Sequence, residues 1–331
     1  MSQRAVFFRE RDADLSVLDG ETVCVVGFGN LGASMAHNLR DAGLSVTVGN
    51  ADDEYRRRAI DDGFTTGDIA TMVAAADIVY VLVPDEVIPS LWRETIAPAL
   101  HDGAAACFAS GYCLAYGLVE MPPSIDVLLL APRMLGDEVR RAKLDGSGFM
   151  SYVNVEQDAS GRAQQRLLAL AAAAGSLRKG ALQLCARDEA LLDLLVEQTV
   201  GPYIGTLIQL VFEAGTNAGL PPEALVLELY QSGEMARTFE TFANHGFYRS
   251  VDAHGLTAQY GGFLRTLEID VESLRQYVVS VVEDLRAGGF ARKFQEEHDA
   301  GYPTLQAIQG ITSGDDPMTQ AEDRVRRALG A

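Results

Sequence analysis

Residues 22–53 constrain this chain more than any other stretch. An apolar run, Val23-Cys24-Val25-Val26, reads as a buried strand, and Gly27-Phe28-Gly29-Asn30-Leu31-Gly32 follows it at once. Residues 33–42 have helical spacing, and residues 45–48 form a second strand-like run. Together they predict a βαβ unit with a G-x-G-x-x-G turn between strand and helix. Gly27 permits the tight turn, Gly29 lets a pyrophosphate approach the backbone, and Gly32 lets the helix pack closely. The helix start offers free N–H groups and a positive dipole end to phosphates. The unit therefore predicts a dinucleotide site. The competing reading is a glycine turn in an α/β domain without a cofactor. The expected cofactor contacts are Gly27, Phe28, Gly29, Asn30, Leu31 and Gly32 in the turn. Asn50, Asp52 and Asp53 join them from the loop after the second strand, and Val83, Pro84 and Ser110 from later strand ends.

The same alternation continues downstream. Apolar runs at 78–83, 104–108, 127–130 and 149–155 read as strands, the last of them closing the series. Helical patterns lie at 54–62, 68–76, 87–100 and 160–174, with Asp68 as an N-cap. Strands alternating with helices predict a doubly wound parallel sheet. Ligands of such sheets lie outside the carboxyl ends of the strands. The loops at 27–32, 49–53, 84–86, 109–112 and 131–136 are thus expected to face one cleft. After residue 182 the pattern turns helical, at 187–218, 222–245, 264–286 and 291–299. The division expected is a dinucleotide-binding domain over 1–182 and a helical substrate and dimerisation domain over 183–331. Residues 310–331, rich in charge and small side chains, read as a helical or partly unstructured tail.

Composition narrows the partners. With 331 residues and 48% hydrophobic content, the chain can bury two cores. A formal net charge of −19 repels nucleic acid and anionic membranes, which leaves a small-molecule substrate as the expected partner. Cys24, Cys107, Cys113 and Cys185 form no C-x-x-C pair and read as reduced thiols of a cytoplasmic protein. The charged first twelve residues carry no signal-like apolar run, and no stretch of about 20 apolar residues is present to span a membrane.

Several segments together resemble ketol-acid reductoisomerase, which rearranges and reduces acetohydroxy acids in branched-chain amino-acid synthesis. They are Asp12-Ala13-Asp14-Leu15-Ser16, the Gly27 turn, Asn38-Leu39-Arg40-Asp41-Ala42-Gly43, and Leu82-Val83-Pro84-Asp85-Glu86. Further on come Ile96-Ala97-Pro98, Ala131-Pro132, Val139-Arg140-Arg141, Asp193 with Glu197-Gln198, and Thr257-Ala258-Gln259-Tyr260-Gly261. The resemblance covers roughly residues 5–265. It implies a Rossmann domain, a knotted helical domain, and a homodimer in which helices of one subunit complete the site of the other. It also implies two Mg²⁺ ions held between four carboxylates.

The departures fall on the site. The family's Ala-His-Gly-Phe reads Ala109-Ser110-Gly111-Tyr112, and the lysine of its Pro-Lys-Gly-Pro-Gly is Arg133. Asp193 and Glu197 match the first carboxylate pair and Glu228 the third, whereas the fourth falls on Ser232 and a substrate-contacting serine falls near Gly255. Asp193 and Glu197, four apart, share one helix face and can hold a hard cation such as Mg²⁺, with Glu228 completing one site. The plainer reading of the pair is a solvated acidic face.

Alkyl migration requires a substrate polarised between two metals, whereas hydride transfer requires a nicotinamide, an oriented carbon and a proton source. The expected function is thus an NAD(P)H-dependent reduction of a ketone or imine with the migration step lost. The expected site residues are Ser110, Arg133, Asp193, Glu197 and Glu228. Tyr112, Tyr260, His245 and His254 are further proton-donor candidates. Two alternatives stand beside this reading: a genuine magnesium-dependent ketol-acid reductoisomerase, and a non-catalytic dinucleotide-binding protein. Asp52 and Asp53 accept from a free ribose 2′-hydroxyl and repel a 2′-phosphate, which predicts NADH over NADPH. Arg56, Arg57 and Arg58 argue the other way.

Overall fold

The computed structural model of the protein describes residues 5–253, 255–312 and 316–330. His254 lies outside them. Two compact units result, Met1–Asp193 and Leu194–Ala331.

The first unit is built on a nine-stranded sheet of order β1-β9-β8-β7-β6-β5-β2-β3-β4. Six neighbouring strands run parallel: β2 (Thr22–Val26), β3 (Ser45–Gly49), β4 (Thr65–Gly67), β5 (Ile78–Val81), β6 (Ala105–Phe108) and β7 (Asp126–Pro132). Every residue of β5 and β6 is buried, as expected for strands covered on both faces. The connection from β2 through the helix Asn30–Asp41 leads to β3 on one side, while β5 pairs on the other side of β2. That reversal of winding is the switch point at which such sheets open a crevice.

Beyond the parallel block the sheet becomes mixed. β8 (Met150–Gln157) pairs antiparallel to β7, β9 (Gly180–Gln183) runs parallel to β8, and β1 (Phe7–Phe8) closes the edge antiparallel to β9. The run at 149–155 is therefore not the last strand. The strand read at 78–83 ends at Val81, because Leu82 leaves the ladder after donating to Val26 O at 2.8 Å. Asp68 caps the helix Ile69–Ala74 by accepting from Thr71 N, as its position predicts. The helical stretch over 88–99 carries a π-helical turn at Trp92–Ile96.

At the amino ends of the strands, Arg166 ties together segments distant in sequence. It pairs with Glu21 at 2.9 Å and Asp126 at 3.1 Å and donates to Gly103 O at 2.8 Å. Its side chain is buried, so these bonds carry the cost of desolvating the charge. This cluster fixes the starts of β2, β6 and β7 and leaves their carboxyl ends to carry the chemistry.

The second unit is helical throughout its described residues. The helix Ala186–Asn217 begins in the first unit and continues into it. Its other main helices are Glu234–His245, Leu256–Thr266, Val271–Arg286, Gly289–Asp299, Pro303–Thr312 and Pro317–Leu329. The tail thus ends in a helix, which Asp316 caps by accepting from Met318 N and Thr319 N. One buried apolar cluster is small: Phe212, Leu225, Val226, Ala321 and Val325. Many large apolar side chains stay exposed in this single chain, among them Leu207, Leu210, Phe239, Phe263 and Leu267. No described helix is long and apolar enough to cross a membrane. All four cysteines are free, and Cys185 is only half-buried.

Candidate active site

The glycine turn has the geometry its sequence demands. Gly27 adopts φ +94°, and a Cβ there would lie 2.7 Å from both Leu82 O and Val83 Cγ1. A Cβ on Gly32 would lie 2.1 Å from Gly27 O, so the helix start is pressed against the turn itself. At Gly29, by contrast, no described atom beyond its own chain neighbours comes within 4 Å of where a Cβ would stand, which leaves its open side for a ligand. Gly29 is also the N-cap of Asn30–Asp41 and has no side chain to cap the first N–H groups. A bare, open helix N-terminus at the switch point fits a dinucleotide pyrophosphate.

The loop after β3 is tied to this turn. Asn50 accepts from Phe28 N at 3.0 Å and donates to Asp53 Oδ1 at 2.9 Å. Asp53 caps the helix Glu54–Asp61, accepting from Tyr55 N at 2.9 Å and Arg56 N at 3.1 Å. Its Oδ1 is thereby engaged within the protein. Asp52 is exposed on the same loop. Arg56 turns its guanidinium onto Asn50 O, with Nε at 3.0 Å, and Arg58 lies 5.9 Å from the Phe28 ring centroid. Val83 is half-buried against the glycine turn, and Pro84 is exposed and starts the next turn by accepting from Val87 N.

The ends of β5, β6 and β7 and the start of the long helix bring a polar cluster together. Ser110 donates to Asp85 Oδ2 at 3.3 Å and accepts from Tyr112 N at 3.1 Å. Gly111 N donates to Glu189 Oε2 at 2.7 Å. Only glycine fits there, since a Cβ would lie 2.2 Å from Ala186 O. Arg133, just past β7, donates to Glu189 Oε1 at 3.3 Å and to Asp193 Oδ1. Its guanidinium lies 5.2 Å from the Tyr152 ring centroid.

Glu189 is 1% exposed, and burial pushes its carboxyl up to about 7. The Gly111 N–H and the Arg133 charge pull it down, while Asp193 and Asp85 push it further up. For Arg133, burial opposes the charge, but the bond to Asp193 and the two carboxylates outweigh it and raise its pKa. Burial raises the Tyr112 phenol and the Cys113 thiol as well, so both stay protonated at neutral pH.

Three of the five expected chemical residues, Ser110, Arg133 and Asp193, thus belong to one connected cluster. Glu197 lies one turn further along the helix Ala186–Asn217, and Glu228 stands in a π-helical turn, Leu227–Gln231. Glu189 and Asp85 are not among the residues expected from the sequence. Glu189 stands four residues before Asp193, and that spacing is the signal that points to it.

The resemblance implies a pair of magnesium ions, and the donors present are poorly suited to one. Asp193 is held by the Arg133 guanidinium, and Ser232 offers a hydroxyl, which already accepts from Glu234 N, where a fourth carboxylate is required. Asp193, Glu197, Glu228 and Ser232 thus supply three carboxylates where the resemblance implies four.

Comparison with known proteins places the chain. Residues 17–180 match the acetohydroxy acid isomeroreductase NADPH-binding domain, and residues 187–330 match the ketol-acid reductoisomerase C-terminal domain. The ketol-acid reductoisomerase (NADP(+)) of Caldivirga maquilingensis is 36% identical over 307 residues, covering 92% of each chain. That of Pyrobaculum arsenaticum is 35% identical over 308 residues, covering 92% of this chain and 93% of the relative. The structure of an NADH-preferring ketol-acid reductoisomerase from an uncultured archean superposes with a TM-score of 0.91 at 28% identity, covering 97% of this chain and 98% of that one. With both halves matched and the fold shared end to end, the chain belongs to the ketol-acid reductoisomerase family.

Proposed function

We propose that this NAD(P)H-dependent oxidoreductase of the ketol-acid reductoisomerase family reduces a C=O or C=N carbon without first shifting an alkyl group. The observation that carries this reading is the ion pair of Arg133 with Asp193 and Glu189. It engages a carboxylate that metal-assisted migration needs free. Ser110 in place of histidine and Ser232 in place of a fourth carboxylate support the same reading.

The nicotinamide supplies the hydride when bound. The chain's own residues do the rest. The Gly29 helix start holds the pyrophosphate, and the 109–112 loop positions Ser110 at the carboxyl end of β6. Glu189 anchors that loop to the long helix through Gly111. The neutral Tyr112 phenol and the Ser110 hydroxyl are the proton-bearing groups on the loop.

A second reading has a specific observation behind it. The curated relatives that match nearly the whole chain are named ketol-acid reductoisomerase (NADP(+)), and their names favour the full ketol-acid reductoisomerase reaction. Under that reading Asp193, Glu197 and Glu228 hold magnesium, and Arg133 must release Asp193 to admit it.

For the cofactor we favour NADH. Asp52 presents an exposed carboxylate beside the ribose position, and Arg56 is turned inward onto Asn50. The NADH-preferring structural relative supports this choice, while the names of the curated relatives favour NADP. The assembly is proposed to be a homodimer with a shared site, in keeping with the exposed apolar side chains of the helical unit.

The test is oxidation of NADH and NADPH with acetolactate, a 2-keto acid and a cyclic imine, each with and without EDTA. Reduction of a keto acid or imine that persists in EDTA supports the proposal. Turnover confined to acetolactate and abolished by EDTA supports the second reading.

A further inference from the structure

We infer that Arg133 is an internal counter-cation that keeps Asp193 out of the set of carboxylates available to a divalent ion. The inference rests on the assignment of this cluster to the reductase site. Its basis is how firmly the arginine is aimed. Arg133 N donates to Met150 O at 2.8 Å, which fixes its backbone against the start of β8. The stem then carries the guanidinium over Tyr152, where the ring face favours a cation.

From there the two terminal nitrogens reach different carboxylates, Nη1 to Glu189 and Nη2 to Asp193. Those carboxylates stand one helical turn apart on the same helix. The planar guanidinium fork spans both of them, whereas a lysine ammonium is a point charge on a flexible stem. Glu189 cannot swing away to free the arginine, because its other oxygen holds Gly111 N at 2.7 Å in a buried setting. Arg133 is therefore clamped on three sides, and its fixed positive charge stands beside Asp193. A divalent ion at Asp193 would lose one ligand oxygen to the guanidinium and meet a like charge next to it. In this role Arg133 is a positioning residue: it ties the helix carrying Glu189 and Asp193 to the exit of β7.

The test reads cation uptake directly. Wild type, Arg133→Lys, Asp193→Asn and the double variant are titrated with Mn²⁺, with the free ion followed by electron paramagnetic resonance. NADH and NADPH binding is measured by fluorescence in the same samples. Wild type should take up no Mn²⁺ that Asp193→Asn removes. Arg133→Lys should bind Mn²⁺ at least about tenfold more tightly than wild type, and the double variant should lose that gain. Should Arg133→Lys not fold, Arg133→Gln takes its place with the same expectation. Uptake by wild type that Asp193→Asn abolishes overturns the inference, as does the absence of any gain on replacing the arginine. Failure of the reductase reading would show separately, as turnover confined to acetolactate and abolished by EDTA, or as no binding of either nicotinamide cofactor.

Discussion

Asp52 and Asp53 are neighbours of the same type with different work. Asp53 holds two backbone N–H groups at a helix start, so Asp53→Ala should cost about 1 kcal/mol of stability. Asp52 is exposed and does not share that duty, so Asp52→Ser should move the NADPH/NADH ratio of kcat/KM towards NADPH with little change in unfolding midpoint. Equal effects of the two substitutions on cofactor preference would contradict this division. Glu189 gives the fold a pH dependence. Its carboxyl rises from 4.5 to about 7 on folding, chiefly through burial. Between those values the folded chain keeps a proton that the unfolded chain releases, so stability falls as pH rises through that window. The contribution is fully present below pH 4.5 and lost by about pH 7. Glu189→Gln lacks this titration. Its unfolding midpoint, measured against wild type, should therefore gain steadily as the pH is raised across the window. A constant difference would contradict the assignment.

Among the elements, the glycine turn is the most legible in the sequence, because every constraint on it is local. Strand, turn and helix are contiguous, and each close-packed glycine answers a contact within the unit or with the adjoining β5 exit. Gly32→Ala should therefore destabilise the first unit by about 1–3 kcal/mol through overpacking and should abolish cofactor binding. Denaturant titration and NADH fluorescence check the two effects, and tight binding by the variant would contradict the turn's role. β9 and β1 are not legible, because neither has a periodic run long enough to announce itself. Two-residue β1 exists only through its pairing with β9, from the far end of the unit, at Phe7↔Leu182 and Phe8↔Ala181. The mixed edge of the sheet follows from these distant pairings. The spacing to Asp193 points to Glu189, but the same reason hides what it binds. Its partners, Gly111 and Arg133, come from two other strand ends, and no local pattern links them. Ser110, Arg133 and Asp193 are legible because the family resemblance marks their positions, and the structure adds the bonds that connect them.

For the molecule as a whole, the helical unit leaves Phe263 and Leu267 exposed at 55% and 84%. Sedimentation should show a dimer, and replacing both residues with aspartate should shift it towards monomer while NADH binding by the glycine turn survives. A monomeric wild type would contradict the shared-site reading. The proposed chemistry is hydride delivery without alkyl migration. The most direct measurement is product analysis after incubating the protein with acetolactate, magnesium and both nicotinamide cofactors. The account predicts no rearranged dihydroxy acid. Its magnesium-dependent formation would contradict the account.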